Sequence, residues 1–438
     1  MQGAPLTLRR ETTGAELRAP ADWRDPPAGD APGQEATTDT TPPEARSNPT
    51  RGPAILRYAS VPADLPEADL HLARALAPDA LDCTLIFGAN GSDAGHILSP
   101  GGAFRDSRAI GCHAGGEIDD SGYATGRLVG LGLPRSHFRA RALAFSEAEA
   151  QATTTLVRRI LKARGVLQQE APDWSEDFAV LLVEGARLPA ETVAARIASA
   201  LGPIPMIGAS LAPSAAPSSA HADTARVIFG SGNVACGAML LMVRGRCPVR
   251  AFRSDHFAPT DRRMVVTAAD PAFRLVTGIN GAPAAQEYAR LTGLDPARMG
   301  PADFIAHPLL VRVGEEHFIR AIRRVTPQGA LEFRSAVGEG MVLTLARAGD
   351  MAECLDRDLE ALRQDSPTGA APDMILAFDS HLRRSEATAR GQADRLSAIM
   401  ARHRLRGLSS QGEQQGGRYL NHSLTGLAIY PPPAESPL

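Results

Sequence analysis

The residues best placed to do chemistry are few and widely separated. Two short runs share one spacing, Gly111-x-x-x-x-Gly116-Glu117 and Gly407-x-x-x-x-Gly412-Glu413. In each, glycines leave the main chain bare, where a small molecule can approach closely, and a carboxylate follows. Each run also follows an apolar strand signal, Leu85-Ile86-Phe87 before the first and Ile375-Leu376-Ala377-Phe378 before the second, so an internal duplication is one reading. Glu413 lies among Gly412, Gly416 and Gly417; a cap or turn carboxylate is the plainer alternative there. Glu117, Asp119 and Asp120 form an acidic cluster that suits a divalent cation, although the serine and glycine around them equally describe a solvated turn.

Familiar catalytic motifs are missing. Gly88-Ala89-Asn90-Gly91-Ser92 and Gly230-Ser231-Gly232 lack the Gly-Lys-Ser/Thr ending of a phosphate loop. Residues Arg226 to Phe229, these glycines and Ala238 to Val243 read instead as a β-hairpin. Gly407-Leu408-Ser409-Ser410-Gln411-Gly412 is one residue too long for a nucleophile elbow. Cys112 and His113 are neighbours on an expected strand, so their side chains point to opposite faces and cannot form a dyad. His307 and His317 have no zinc-ligand spacing with any cysteine.

The 438 residues carry 46 basic and 49 acidic side chains, a net charge of -3, and 44% are hydrophobic. A near-neutral balance without basic runs argues against nucleic-acid binding. The most apolar stretch, Gly237 to Val243, is far shorter than a membrane span. Five cysteines (Cys83, Cys112, Cys236, Cys247, Cys354) without a C-x-x-C pair fit a reducing cytoplasm. The N-terminus has no secretory h-region.

Stepping along the chain, residues 1–53 have no hydrophobic periodicity and are expected to be disordered, as is the proline-rich end at 431–438. Between them the pattern is mixed α/β. Strands are expected at 55–58, 83–87, 109–112, 178–183, 205–207, 226–229, 238–243 and 249–252, and again from about 261 onward. A capped helix is expected from Ser146 to Ala163, stopped by Gly165, then one at 190–201. A helix at 284–291, another at 350–362 and a long one at 385–402 follow, with closing strands at 407–410 and 424–430.

Taken together, these residues resemble the FIST family. Gly407-Leu-Ser-Ser-Gln-Gly-Glu-Gln followed by Asn421-His-Ser-Leu-Thr-Gly-Leu-Ala-Ile is similar to that family's closing pattern. Ile110-Gly-Cys-His-Ala-Gly-Gly-Glu-Ile118 and Ala377-Phe-Asp-Ser-His-Leu-Arg-Arg384 are similar to two further family motifs. His113-Ala114, Ser380, Gln411 and His422 depart from the residues usual there. The resemblance implies an α/β fold of two mixed domains, FIST N over 54–258 and FIST C over 259–430. It also implies a cytoplasmic, bacterial-type sensory protein that binds a small ligand and signals through a separate partner, such as a histidine kinase or a cyclic-di-GMP enzyme.

On that resemblance, the ligand-binding residues are Gly111, Cys112, Gly116, Glu117, Asp379, Arg383, Gly407, Ser409, Gly412, Glu413 and Asn421. Arg383 and the two glutamates offer opposite charges that could hold an amino-acid-like zwitterion. No metal or cofactor is expected. Because some members bind haem and sense nitric oxide, His113, His381 and His422 are the candidate axial ligands of an alternative reading. An enzyme centred on a reactive Cys112 thiol and a pure interaction scaffold are the remaining alternatives, the first requiring a lowered thiol pKa.

Overall fold

The computed structural model describes residues 54–89, 102–104, 107–184, 188–211, 227–229 and 237–433, with backbone alone for 89, 113, 114 and 227–229. The expected tail at 1–53, most of 431–438, Cys236 and the glycine run 230–232 lie outside the described residues.

One chain path occurs three times. The first pass comprises β1 (Arg57–Pro62), α1 (Ala68–Leu76), β2 (Leu81–Ala89), β3 (Ala109–Ala114), the hairpin β4 (Glu117–Asp119) and β5 (Gly122–Ala124), and β6 (Arg127–Pro134). The second comprises β7 (Phe138–Phe145), α2 (Glu147–Gln151), α3 (Thr153–Glu170), β8 (Glu176–Glu184), α4 (Ala190–Leu201), β9 (Met206–Leu211), β10 (Val227–Phe229) and β11 (Ala238–Gly245).

The third opens with β12 (Val249–Ser254) and is then interrupted by an inserted sheet. The insert contains β13 (Phe257–Asp270), β14 (Leu275–Ile279), β15 (Ala282–Pro283), β16 (Leu309–Val313), β17 (Glu316–Arg320), β18 (Ile322–Val325), β19 (Leu331–Phe333) and β20 (Val342–Ala348), with α5 (Ala284–Thr292) and α6 (Pro301–Ala306). The third pass resumes with α7 (Met351–Gln364), β21 (Met374–Ser380), α8 (His381–Ala389), α9 (Ala393–Arg402), β22 (Leu405–Ser410), the hairpin β23 (Gly412–Gln415) and β24 (Arg418–Leu420), and β25 (Leu424–Ile429).

The pairings repeat with the path. The opening strand is antiparallel to the closing one (β1/β6, β7/β11, β12/β25), and the closing strand is antiparallel to the middle one (β6/β2, β11/β8, β25/β21). The middle strand is parallel to the next (β2/β3, β8/β9, β21/β22). Each repeat then donates a strand to another repeat's sheet: β4 to β22, β10 to β3 and β23 to β9. The glycine spacing noted in the sequence is therefore part of a threefold repetition. Gly111, Gly208 and Gly407 register with Ile86, Leu181 and Ala377, and Glu117, Val227 and Glu413 pair with the residue after each glycine, Leu408, Cys112 and Ala209.

The three sheets enclose one apolar core in which Phe87, Phe178, Leu241, Phe378 and Ile429 are all buried. Phe87 and Phe378, equivalent residues of the first and third repeats, meet edge to face with ring centroids 6.5 Å apart. Burying each such ring is worth roughly 1.5–3 kcal/mol. Helices cover the outer faces, with Leu156, Ile160, Val193 and Ile197 against the second sheet and Leu355, Leu359, Leu396 and Met400 against the third. The insert has its own core around Val266, Tyr288, Phe304 and Phe333.

Three local expectations are corrected. The strand β10 does not form a hairpin with β11; it joins β3, and β11 lies between β7 and β8. Gly165 does not end its helix, because continuing to Glu170 buries Leu167, which outweighs the roughly 1 kcal/mol that glycine costs within a helix. The long helix expected at 385–402 is split between α8 and α9 at Gly391, whose φ of 63° is left-handed.

Candidate functional site

Strand β21 is central in its sheet, and every residue from Met374 to Ser380 is buried. Its apolar run ends in Asp379-Ser380, and the chain passes at once into α8. One helical turn then brings Arg383 back onto Asp379, with Nε donating to Oδ1 at 2.7 Å. Both side chains are fully buried. Tyr123, on the donated hairpin of the first repeat, donates its hydroxyl to the other oxygen of Asp379. Burial pushes the Asp379 carboxyl above its usual range against the pull of Arg383. Arg383 keeps both Nη atoms buried and without a hydrogen-bond partner.

On the adjoining strand, Ser409 registers with Asp379, and its buried hydroxyl has no partner. Ser410 donates to Glu413 Oε1 at 2.5 Å and lies 3.3 Å from the Asp379 carbonyl. Ser423 donates to Glu413 Oε2 through its hydroxyl at 3.0 Å and its amide at 3.4 Å. Burial, helped by the charge of Asp379, raises Glu413 to about 8. Two residues before Ser423, Asn421 is buried with both amide atoms unpartnered. An unmade hydrogen bond on a buried polar group costs about 1–3 kcal/mol, so such a concentration marks a place built for something else to complete it.

Glu117 adjoins this cluster through the main chain, pairing with Leu408, while the Ser409 amide donates to the Gly116 carbonyl at 2.8 Å. Its Oε2 accepts from the Arg127 amide at 3.3 Å, and Oε1 is buried without a partner. Burial raises it to about 7, opposed by the Arg127 amide and by Arg384. Arg384 stacks over Tyr123 at 5.2 Å and donates through Nη2 to the Ala124 carbonyl at 3.0 Å. Its Nη1 lies 1.9 Å from where a Cβ on Gly116 would stand, and the Gly116 φ of 146°, which side chains with a Cβ rarely adopt, favours glycine there.

A third group closes the other flank. Glu386, one turn beyond Arg383, holds His422 Nε2 at 2.7 Å and His256 Nε2 at 3.1 Å on the same oxygen. Burial alone would raise Glu386, but the two imidazoles outweigh it and hold the carboxyl at about 2. His381 lies against the Ser410 carbonyl at 3.2 Å, and burial with Arg334 nearby takes it down to about 3.

The structure thus unites Asp379, Arg383, Ser409, Glu413 and Asn421 and links Glu117 to them. It places the other expected residues in packing roles. Gly111 and Cys112 lie within β3, and the Cys112 thiol faces the shared core, where burial drives its pKa up. That is the reverse of what a nucleophilic thiolate requires. Gly407 admits the Ala377 carbonyl, 1.8 Å from a notional Cβ, and Gly412 admits the Tyr419 hydroxyl at 2.1 Å. Of the haem candidates, the His113 side chain lies outside the described residues. His422 is committed to Glu386 and His381 to Ser410, among charged neighbours, so these residues do not fit an axial ligand facing a flat apolar ring. The acidic cluster fares likewise: Asp119 lies 3.4 Å from Arg127, and among the described residues no group of three or more ligating side chains could hold a metal.

Tyr123, Glu386, His256, Ser410 and Ser423 were not legible as site residues. Each acts on a partner brought close by folding, and only the i, i+3 spacing of Glu386 from Arg383 offered a local signal.

Family profiles match the chain as a FIST N domain over residues 82–282 and a FIST C domain over residues 284–415. The chain belongs to the FIST family, whose domains are associated with sensory binding of small ligands. The two matched regions share sheets, since β4 pairs with β22 and β23 with β9. No curated protein matches the chain. Among solved structures, a crystal structure of chorismatase is similar at 10% identity, covering 85% of this chain and 98% of that one with a TM-score of 0.33. No helix among the described residues is long and apolar enough to cross a membrane.

Proposed function

We propose that this protein is a cytoplasmic sensor of an amino-acid-like metabolite, bound at the end of β21 between Arg383, Asn421 and Glu413. The observation that carries the reading is the Arg383 guanidinium, fully buried, fixed through Nε and left with two unpartnered Nη atoms. Two parallel N–H donors are what a carboxylate accepts most strongly. Asn421 supplies a further donor and acceptor. A ligand ammonium beside Glu413 favours the ionised carboxylate and expels the proton that burial keeps there. The site lies where α8 begins, so ligand contacts on Arg383 bear directly on the helix that also carries Glu386 and its two histidines. Signalling passes to a separate partner, a histidine kinase or cyclic-di-GMP enzyme being the class the family resemblance favours.

Thermal shift against the twenty amino acids tests this reading. A ligand at one hundred times its dissociation constant adds about 2.7 kcal/mol of stability, and Arg383→Lys should abolish the shift. No shift with any amino acid, or a Soret band after haem supplementation, would overturn it.

A further inference from the structure

The threefold path makes the junctions between repeats comparable positions. At the junction of the first and third repeats, β4 lies on β22; at that of the third and second, β23 lies on β9. Register then equates Gly116-Glu117 with Gly412-Glu413, and the hairpin mates equate Tyr123 with Tyr419, which pair with Ile118 and Gln414.

The equivalent residues do equivalent things. Each glycine admits a polar side-chain atom against the backbone, Arg384 Nη1 in one case and the Tyr419 hydroxyl in the other. Each glutamate is fully buried and is followed by a half-buried tyrosine on the mate strand. Each pair also has an arginine. Arg384 stacks on Tyr123, and its charge acts on Glu117. Arg334, from the insert, donates through Nη1 to Gln411 at 3.3 Å, and the charges of Tyr419 and Glu413 act on it. Both junctions retain unpartnered buried atoms: Glu117 Oε1 and Arg384 Nη1 in the first, Arg334 Nε and Gln414 Oε1 in the second. The third junction has Val227 in place of the glutamate, opposite Cys112.

We propose that the junction of Glu117, Tyr123 and Arg384 is a second small-ligand site beside the one around Glu413, taking a small carboxylate on Arg384 and a hydrogen-bond donor on Glu117. The proposal rests on the ligand-binding reading above. Asp379 stands between the two sites, bonded to Tyr123 on one side and to Arg383 on the other. Occupancy of one is therefore felt at the other through a shared carboxylate.

Equilibrium dialysis of the full chain against each of the twenty amino acids, pyruvate and succinate counts the sites. The expected stoichiometry is two per chain, falling to one in Glu117→Gln and in Arg384→Gln, and to one in Glu413→Gln. Circular dichroism melting of each variant verifies that it folds. A stoichiometry of one, lost in Glu413→Gln and unchanged in both Glu117→Gln and Arg384→Gln, overturns the second site and leaves the first. Absence of binding by every probe overturns both.

Discussion

Replacing Glu413 by glutamine should make the protein more stable above neutral pH, and the geometry gives the size of the effect. Ser410 has one hydroxyl proton but two acceptors, Glu413 Oε1 and the Asp379 carbonyl. A protonated Glu413 resolves the conflict by donating to Ser410, which then serves Asp379, while Ser423 still donates to Oε2. Burial supports that state by raising Glu413 from 4.5 to about 8. Because the folded pKa is raised, the folded chain holds a proton that the unfolded chain releases, and stability falls as pH rises between those values. At 1.36 kcal/mol per pH unit the full loss is about 5 kcal/mol. Glutamine reproduces the protonated shape and carries no such penalty. Urea unfolding of wild type and Glu413→Gln at half-unit steps from pH 5 to 9 should show the smallest difference at pH 5, a difference that widens up to about pH 8, and a gap of several kcal/mol at pH 9. Curves separated by a constant amount across the range would refute the argument.

Other expectations follow from the same contacts. Gly407→Ala, whose Cβ would stand 1.8 Å from the Ala377 carbonyl, should cost more than about 3 kcal/mol by thermal unfolding, whereas Gly126→Ala, with open space around it, should cost about 1. Burial lowers His256 and His422 below 6.5. The unfolded chain therefore gains protons first, and stability should drop as pH falls below about 6.5; His256→Gln should flatten that slope, and an unchanged slope would contradict it. Cys112, buried in the shared core, should react with a thiol reagent only in denaturant; rapid labelling of the native protein at this position would show that the core is open.

The sequence made the Gly-x-x-x-x-Gly-Glu echo visible, together with most strands, because glycine spacing and apolar runs are local. It did not reveal that the repetition is threefold. The second repeat carries Gly208-Ala209-Ser210 at the equivalent place, and its donated strand has Val227 where the others have glutamate, so little local identity survives. Asp379, Arg383 and Glu413 were legible because each stands in a run with a recognisable pattern. His256 and Glu386 were not, being 130 residues apart and joined only by the tertiary fold. The insert between β12 and α7 hid the third repeat by separating its opening strand from the rest. Gly165 misled for a simpler reason, since the helix gains more by burying Leu167 than it loses at the glycine.

Hydrogen exchange read by mass spectrometry, with and without an equimolar mixture of the twenty amino acids, tests the ligand assignment most directly. The account predicts slower exchange in peptides spanning 374–389 and 405–423, where β21, α8, β22, β23 and the Asn421 turn meet. Unchanged exchange in those peptides under a saturating mixture would contradict it.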